Sequence, residues 1–129
     1  MTARVSHPTL GAMYRTLLLI PLLCSPALAD PATVVNATAH GPGPEWRFDV
    51  TIAHPETGWE DYADGWRIET PDGTIFGTRV LAHPHANEQP FTRSLGGVEV
   101  PEAIEVFMVR ARTSVEGWAD NTAGPFPLR

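Results

Sequence analysis

The chain has 129 residues, a formal net charge of −6 at pH 7, and nine arginines with no lysine. From position 30 onward it has seven arginines and fifteen acidic residues, which give this part a net charge of −8. Such a charge argues against nucleic acid or an anionic membrane surface as a partner. It is compatible with a soluble exported domain, or with the binding of cations.

The first 29 residues have the features of a secretory signal. Arg15 precedes the apolar run TLLLIPLLCSPALA, which ends in Ala27-Leu28-Ala29 and so has small residues at the −3 and −1 positions of a cleavage site. The apolar run contains two prolines and is too short for an ordinary membrane span. We therefore expect cleavage near Ala29 and a periplasmic or secreted protein that begins at Asp30.

Two features of this leader leave alternatives open. Met13 opens a more compact signal than Met1 does, so either methionine can be the start. Cys24 raises the alternative of a lipid anchor, although Leu23 stands before it where lipid-modified cysteines normally follow a small residue. Residues 30–129, which we expect to form a single domain, contain no cysteine. Without a disulfide, the stability of this domain has to come from core packing.

The rest of the sequence alternates between short apolar segments and turns. In EWRFDVTIAH, Trp46, Phe48, Val50 and Ile52 alternate with polar residues, which predicts a strand with one buried face. Pro71–Gly73 predicts a tight turn, because proline fixes φ and glycine accepts a positive φ. The other predicted strands are ATVVNATA, WRIET, TIFGTRVLAH (ending before Pro84), QPFTRSL, IEVFMVRART and GPFPLR.

No segment shows a sustained helical period. About seven short strands, separated by turns, predict an all-β fold, and specifically an immunoglobulin-like antiparallel β-sandwich. A small closed β-barrel is the alternative. In the sandwich, a tight turn at Pro71–Gly73 would place the loops Pro55–Gly65 and His83–Gln89 at the same end.

The segment from Trp46 to Trp118 resembles small exported immunoglobulin-like proteins of proteobacteria, which implies a fold and not a function. AHPETGWEDYADGWRIETPDG is also similar to the iron domain of the superoxide reductases, or desulfoferrodoxins, with His54-Pro55 and Trp66 in comparable places. The iron of that family needs four histidines and a cysteine thiolate. Since residues 30–129 have no cysteine, the resemblance implies the sandwich alone, and we do not infer superoxide reduction.

His83 and His85 are the first candidate site. Residues at i and i+2 of a strand share a face, so the two imidazoles can hold one copper or zinc ion. His54 or His40 would supply a third ligand from another loop. In the alternative interpretation, both histidines belong to a polar loop and face water. Because no motif fixes further ligands, we favour the polar loop and expect no cofactor.

The acidic aromatic loop ETGWEDYADGW is the second candidate. Trp59, Tyr62 and Trp66 can form a stacking surface for a sugar or a peptide, while Asp64, together with Glu88 of the next loop, accepts hydrogen bonds. Its carboxylates are also donors that calcium favours, but their spacing is not that of an EF-hand loop. In the alternative interpretation, Trp66 packs in the core and the acids are solvated.

Catalysis has no motif in this sequence, since no serine lies in a nucleophile elbow and no glycine-rich loop leads into a helix. Arg110 and Arg112 share a strand face, where they either bind an anion or meet carboxylates of a neighbouring strand. The leading hypothesis is a small exported β-sandwich, non-catalytic, that binds a partner or ligand through end loops. The alternatives are a metal-binding or metal-delivery protein that uses His83 and His85, and an enzyme of unknown type.

Overall fold

The computed structural model describes residues 2–6, 11, 18, 20, 21 and 30–129. The predicted cleavage site at Ala29 and the alternative anchor at Cys24 lie outside these residues. Within the described part, no helix is long and apolar enough to span a bilayer. Eight strands follow one another, namely β1 (Thr33–His40), β2 (Trp46–Ala53), β3 (Ala63–Glu69), β4 (Ile75–Val80), β5 (Phe91–Val98), β6 (Val106–Thr113), β7 (Gly117–Trp118) and β8 (Ala123–Pro127).

The strands form two antiparallel sheets. One sheet has the order β1-β2-β5, and the other has the order β4-β3-β6, with β7 and β8 both pairing with β6. The chain therefore crosses between the sheets after β2, after β4 and after β5, as in immunoglobulin-like sandwiches. This arrangement confirms the predicted all-β sandwich.

The core lies between the sheets and is built on the predicted face of β2. Trp46, Phe48, Val50 and Ile52 are all buried, as the alternation predicted. They face apolar residues of β3 and β6, and the ring of Phe48 meets the edge of Phe107 at a centroid distance of 5.0 Å. Such edge-to-face contacts add to the stabilisation that burial of the rings provides.

Some strand boundaries differ from the prediction. β4 ends at Val80 rather than at His83, because the chain turns inward there: Leu81 is buried and its N–H donates to the Asp64 carbonyl at 3.0 Å. β5 continues beyond the predicted segment QPFTRSL through Gly96 and Gly97 to Val98, with Gly97 at a φ of 68°. β7 has two residues, too few to give a periodic pattern.

The two ends of the sandwich have different loops. The predicted turn at Pro71–Gly73 is present, with Gly73 at a φ of 91° and its N–H donating to the Thr70 carbonyl. Because Ile52 of β2 pairs with Phe91 of β5, the β2–β3 and β4–β5 loops leave the sheets together, as expected. We call this the loop end, and the opposite end, which contains Pro71–Gly73, the turn end.

The arginines of β6 meet carboxylates. Burial raises the pKa of the Glu69 carboxyl, but hydrogen bonds and charges from Arg110 and Arg67 lower it by more. The pKa of Glu69 therefore lies below its usual range. Both guanidinium groups donate to Glu69 at 2.7 Å. Arg112 lies 3.3 Å from Asp64, and the ring of Trp118 packs against Arg67. The interpretation of Arg110 and Arg112 as partners of carboxylates is therefore confirmed.

Candidate functional site

The two histidines of the β4–β5 loop lie side by side, with their ring centroids 4.7 Å apart. His83 is exposed, but His85 is buried and stacks on Phe91 at a centroid distance of 3.9 Å and an interplanar angle of 12°. The prediction that both rings are exposed is therefore wrong for His85. Its ring covers the first core residue of β5, so it takes the place of an apolar side chain.

The surroundings of His85 favour its neutral form. Burial lowers the pKa of its imidazole, and the positive charge of Arg93 and the neighbouring His83 lower it further, against the opposing charges of Glu56 and Glu88. Among the described residues, neither ring nitrogen of His85 has a hydrogen-bond partner. A neutral imidazole with a free nitrogen is the form that binds a metal ion.

Glu56 connects the two loops of this end. Its side chain is fully buried, and each carboxylate oxygen accepts a hydrogen bond from a backbone N–H. One N–H belongs to Ala63, at 2.8 Å, and the other to His85, at 2.5 Å. The carboxylate thus fixes the β4–β5 loop to the start of β3. In the sequence, Glu56 has the pattern of a solvated loop acid, so this role was not predicted.

His54 is the second buried residue of this connection. Its backbone N–H donates to Oε1 of Gln89 at 2.9 Å, and Nε2 of Gln89 donates to the His85 carbonyl at 3.1 Å. On its ring, Nε2 lies 2.8 Å from the Asp30 carbonyl and Nδ1 lies 3.6 Å from Oε1 of Glu56. His54 therefore holds together the two loops and the segment before β1.

These contacts bear on the predicted metal ligands. His83 and His85 come together, whereas the ring of His54 is directed to Asp30 and Glu56. His40 is at the turn end, where its Nε2 lies 2.7 Å from Asp49. In the part of the chain that the structure describes, no three histidine, cysteine or acidic side chains are grouped to hold a metal ion. A metal site would therefore rest on two imidazoles.

Of the three aromatic residues predicted to form a stacking surface, Trp66 is buried in the core, whereas Trp59 and the half-buried Tyr62 form a pair in the β2–β3 loop. Trp59 is 66% exposed, and its ring meets that of Tyr62 edge to face at a centroid distance of 5.6 Å. A β-bridge between Gly58 and Asp61 closes the turn that carries Trp59. Two hydrogen bonds fix Tyr62 to Ser114. The Tyr62 N–H donates to the Ser114 hydroxyl, and the Ser114 N–H donates to the Tyr62 carbonyl.

Asp64 and Glu88, which were also predicted to contact a ligand, each form an ion pair. Asp64 pairs with Arg112 on the outer face of the larger sheet, and Glu88 pairs with Arg93 at 3.1 Å. An open depression of about 490 Å³ lies beside the β2–β3 loop, with His54 in its lining. It is lined by Asp30, Pro31, Thr33, Ala53, His54, Pro55 and Gln89.

Comparison with known proteins gives one informative relative. No protein-family model and no solved structure matches the chain. A protein of the halophilic archaeon Halomicrobium mukohataei, described as a "Putative lipoprotein", is 39% identical over 88 residues. The match covers 67% of this chain and 43% of the relative, so the chain spans less than half of that protein's length. The relative supports neither an attribution to proteobacteria in particular nor a likeness to superoxide reductases.

Proposed function

We propose that this is an exported, non-catalytic β-sandwich that binds a partner protein through its loop end, with Trp59 and Tyr62 as the main contact. The observation that carries this proposal is the exposure of Trp59, at 66%, beside an aromatic neighbour. Tryptophan and tyrosine are enriched among the residues that dominate binding energy in protein interfaces.

The order of the loop end supports this role. Tyr62 is fixed to Ser114, the Gly58–Asp61 bridge closes the turn, and the buried Glu56 joins this loop to the next one. A surface that is already ordered loses less conformational freedom on binding than a mobile loop does. The leader pattern and the description of the archaeal relative as a lipoprotein support export.

Replacement of Trp59 by alanine is the direct test. The tagged full chain, crosslinked in its source cells, is expected to retain a defined partner, and Trp59→Ala is expected to reduce the yield of that partner about tenfold or more. Ile75→Ala is the matched control, since Ile75 is 50% exposed at the turn end. Equal yields from the wild type and Trp59→Ala, with unchanged melting temperatures, would contradict the proposal.

Metal binding by His83 and His85 is the second candidate function. The observation in its favour is the short distance between the rings, 4.7 Å, together with the two ring nitrogens of His85 that have no partner among the described residues. Two protein ligands leave the remaining positions of a zinc or copper ion to water or to a partner's side chain.

Calorimetric titration of the metal-free chain with zinc and with copper(II) tests this candidate. On the leading proposal, we expect binding no tighter than micromolar, and we expect it to weaken as the pH falls, because protons compete with the metal ion for the imidazole nitrogens. Stoichiometric submicromolar binding would instead favour the metal-binding function, provided that His83→Ala abolishes it. His40→Ala, at the opposite end, is the control that should leave it unchanged.

A further inference from the structure

The turn end of the sandwich has two adjoining depressions. One, of about 370 Å³, is lined by Thr70, Pro71, Asp72, Thr74, Phe76, Pro101 and Ile104. The other, of about 460 Å³, is lined by Pro44, Phe76, Glu99, Val100 and Pro101. Since Phe76 and Pro101 line both, the two depressions form one surface, which we call the turn-end groove. Most of its lining side chains are apolar.

Hydrogen bonds fix both walls of the turn-end groove. On one side, the Thr70 N–H donates to the Thr74 carbonyl at 2.8 Å, which closes the β3–β4 turn. On the other side, the Ile104 N–H donates to the Pro101 carbonyl at 3.0 Å, and the Leu128 N–H donates to the Glu105 carbonyl at 2.9 Å. The groove is therefore formed before any ligand binds.

Five acidic residues either line this apolar surface or directly follow a lining residue in the sequence, and we call them the acidic rim. All are exposed, and none has an ion-pair partner within the part of the chain that the structure describes; they are Glu45, Asp72, Glu99, Glu102 and Glu105. The hydroxyl of Thr70, and then the N–H and hydroxyl of Thr74, hold the pKa of the Asp72 carboxyl below its usual range. The neighbouring cation, Arg129, lies over the ring of Trp46 and donates to the Ile104 carbonyl.

From this combination we infer that the turn-end groove binds a basic amphipathic segment of another protein. Apolar side chains of that segment would fill the two depressions around Phe76 and Pro101, and its lysines or arginines would lie against the acidic rim. The charge complementarity decides the kind of partner, since an acidic or neutral segment would leave the rim without counter-charges. The groove is at the opposite end from Trp59, so this inference does not depend on the function proposed for the loop end.

Three synthetic peptides of twelve residues test the inference with the full chain. The first alternates leucine and arginine, the second has glutamate in place of arginine, and the third has serine in place of leucine. We expect the leucine–arginine peptide to bind at least tenfold more tightly than either of the others in fluorescence anisotropy. In NMR spectra, it should shift the amide signals of Phe76 and Ile104. Absence of binding, equal affinity for any control peptide, or shifts confined to the loop end would overturn the inference.

Charge reversal on the protein provides the complementary test. Glu102 and Glu105 are exposed, so the double variant Glu102→Lys/Glu105→Lys is expected to remain folded and to weaken binding of the leucine–arginine peptide at least tenfold. Glu60→Lys is the matched control, because Glu60 is an exposed acid at the loop end. Equal affinities of the double variant and the wild type would overturn the role of the acidic rim, and with it the inference.

Discussion

Replacement of Phe48 by alanine is expected to lower the free energy of unfolding by about 3–5 kcal/mol. Phe48 is 0% exposed, and it lies on β2, the central strand of its sheet, with its ring against that of Phe107. Removing the ring leaves a cavity that the surrounding strands can fill only in part. The loss is large compared with the total stability of a small domain, which is about 5–15 kcal/mol.

Urea denaturation measures this effect. The midpoint should fall with little change in the slope, because the surface exposed on unfolding is almost the same. Val35→Ala is the matched control, since Val35 is 54% exposed on the neighbouring strand β1, and a change within about 0.5 kcal/mol is expected there. Equal midpoints for Phe48→Ala and the wild type would mean that β2 does not face the core.

The second large effect is expected from Glu56→Ala, which should lower the free energy of unfolding by about 2–6 kcal/mol. The carboxylate accepts hydrogen bonds from the N–H groups of Ala63 and His85, and each buried donor left without a partner costs about 1–3 kcal/mol. The damage should be centred on the loop end. Amide hydrogen exchange at Ala63 and His85 is therefore expected to accelerate more than exchange in β6.

Glu60→Ala is the control for this prediction, because it removes an exposed acid from the same loop. It should change neither the denaturation midpoint nor amide exchange at Ala63 and His85. A Glu56→Ala protein that matched Glu60→Ala in both measurements would show that the buried carboxylate does not hold the loops together.

The strands could be predicted from the sequence because their signals are local. Alternation on β2 and the glycine of the Pro71–Gly73 turn each report the conformation of a few consecutive residues, and both predictions are confirmed. The position of that turn was also enough to place the β2–β3 and β4–β5 loops at one end. The end of β4 was missed, because the inward turn at Leu81 depends on a contact with Asp64 of another strand.

The candidate site was less accessible to prediction, because burial of a polar residue is a tertiary property. Glu56 and His85 are polar residues in polar loops, and local sequence predicts solvent for both. Their burial arises when the two loops meet, because the His85 N–H donates to the carboxylate of Glu56, which lies 29 positions earlier in the chain. Conversely, the exposed aromatic residue Trp59 could be recognised as a candidate, because its neighbours in sequence are acidic and offer it no apolar surroundings.

The bond between His54 and the Asp30 carbonyl determines where the polypeptide enters the domain. Asp30 is held at the loop end, so a lipid on Cys24 would leave a tether of only five intervening residues, with a maximum reach of about 20 Å. The loop end would then face the bilayer at close range, and Trp59 would be within reach of lipid head groups. Cleavage near Ala29 would instead remove that tether, so the loop end would not be held at the bilayer.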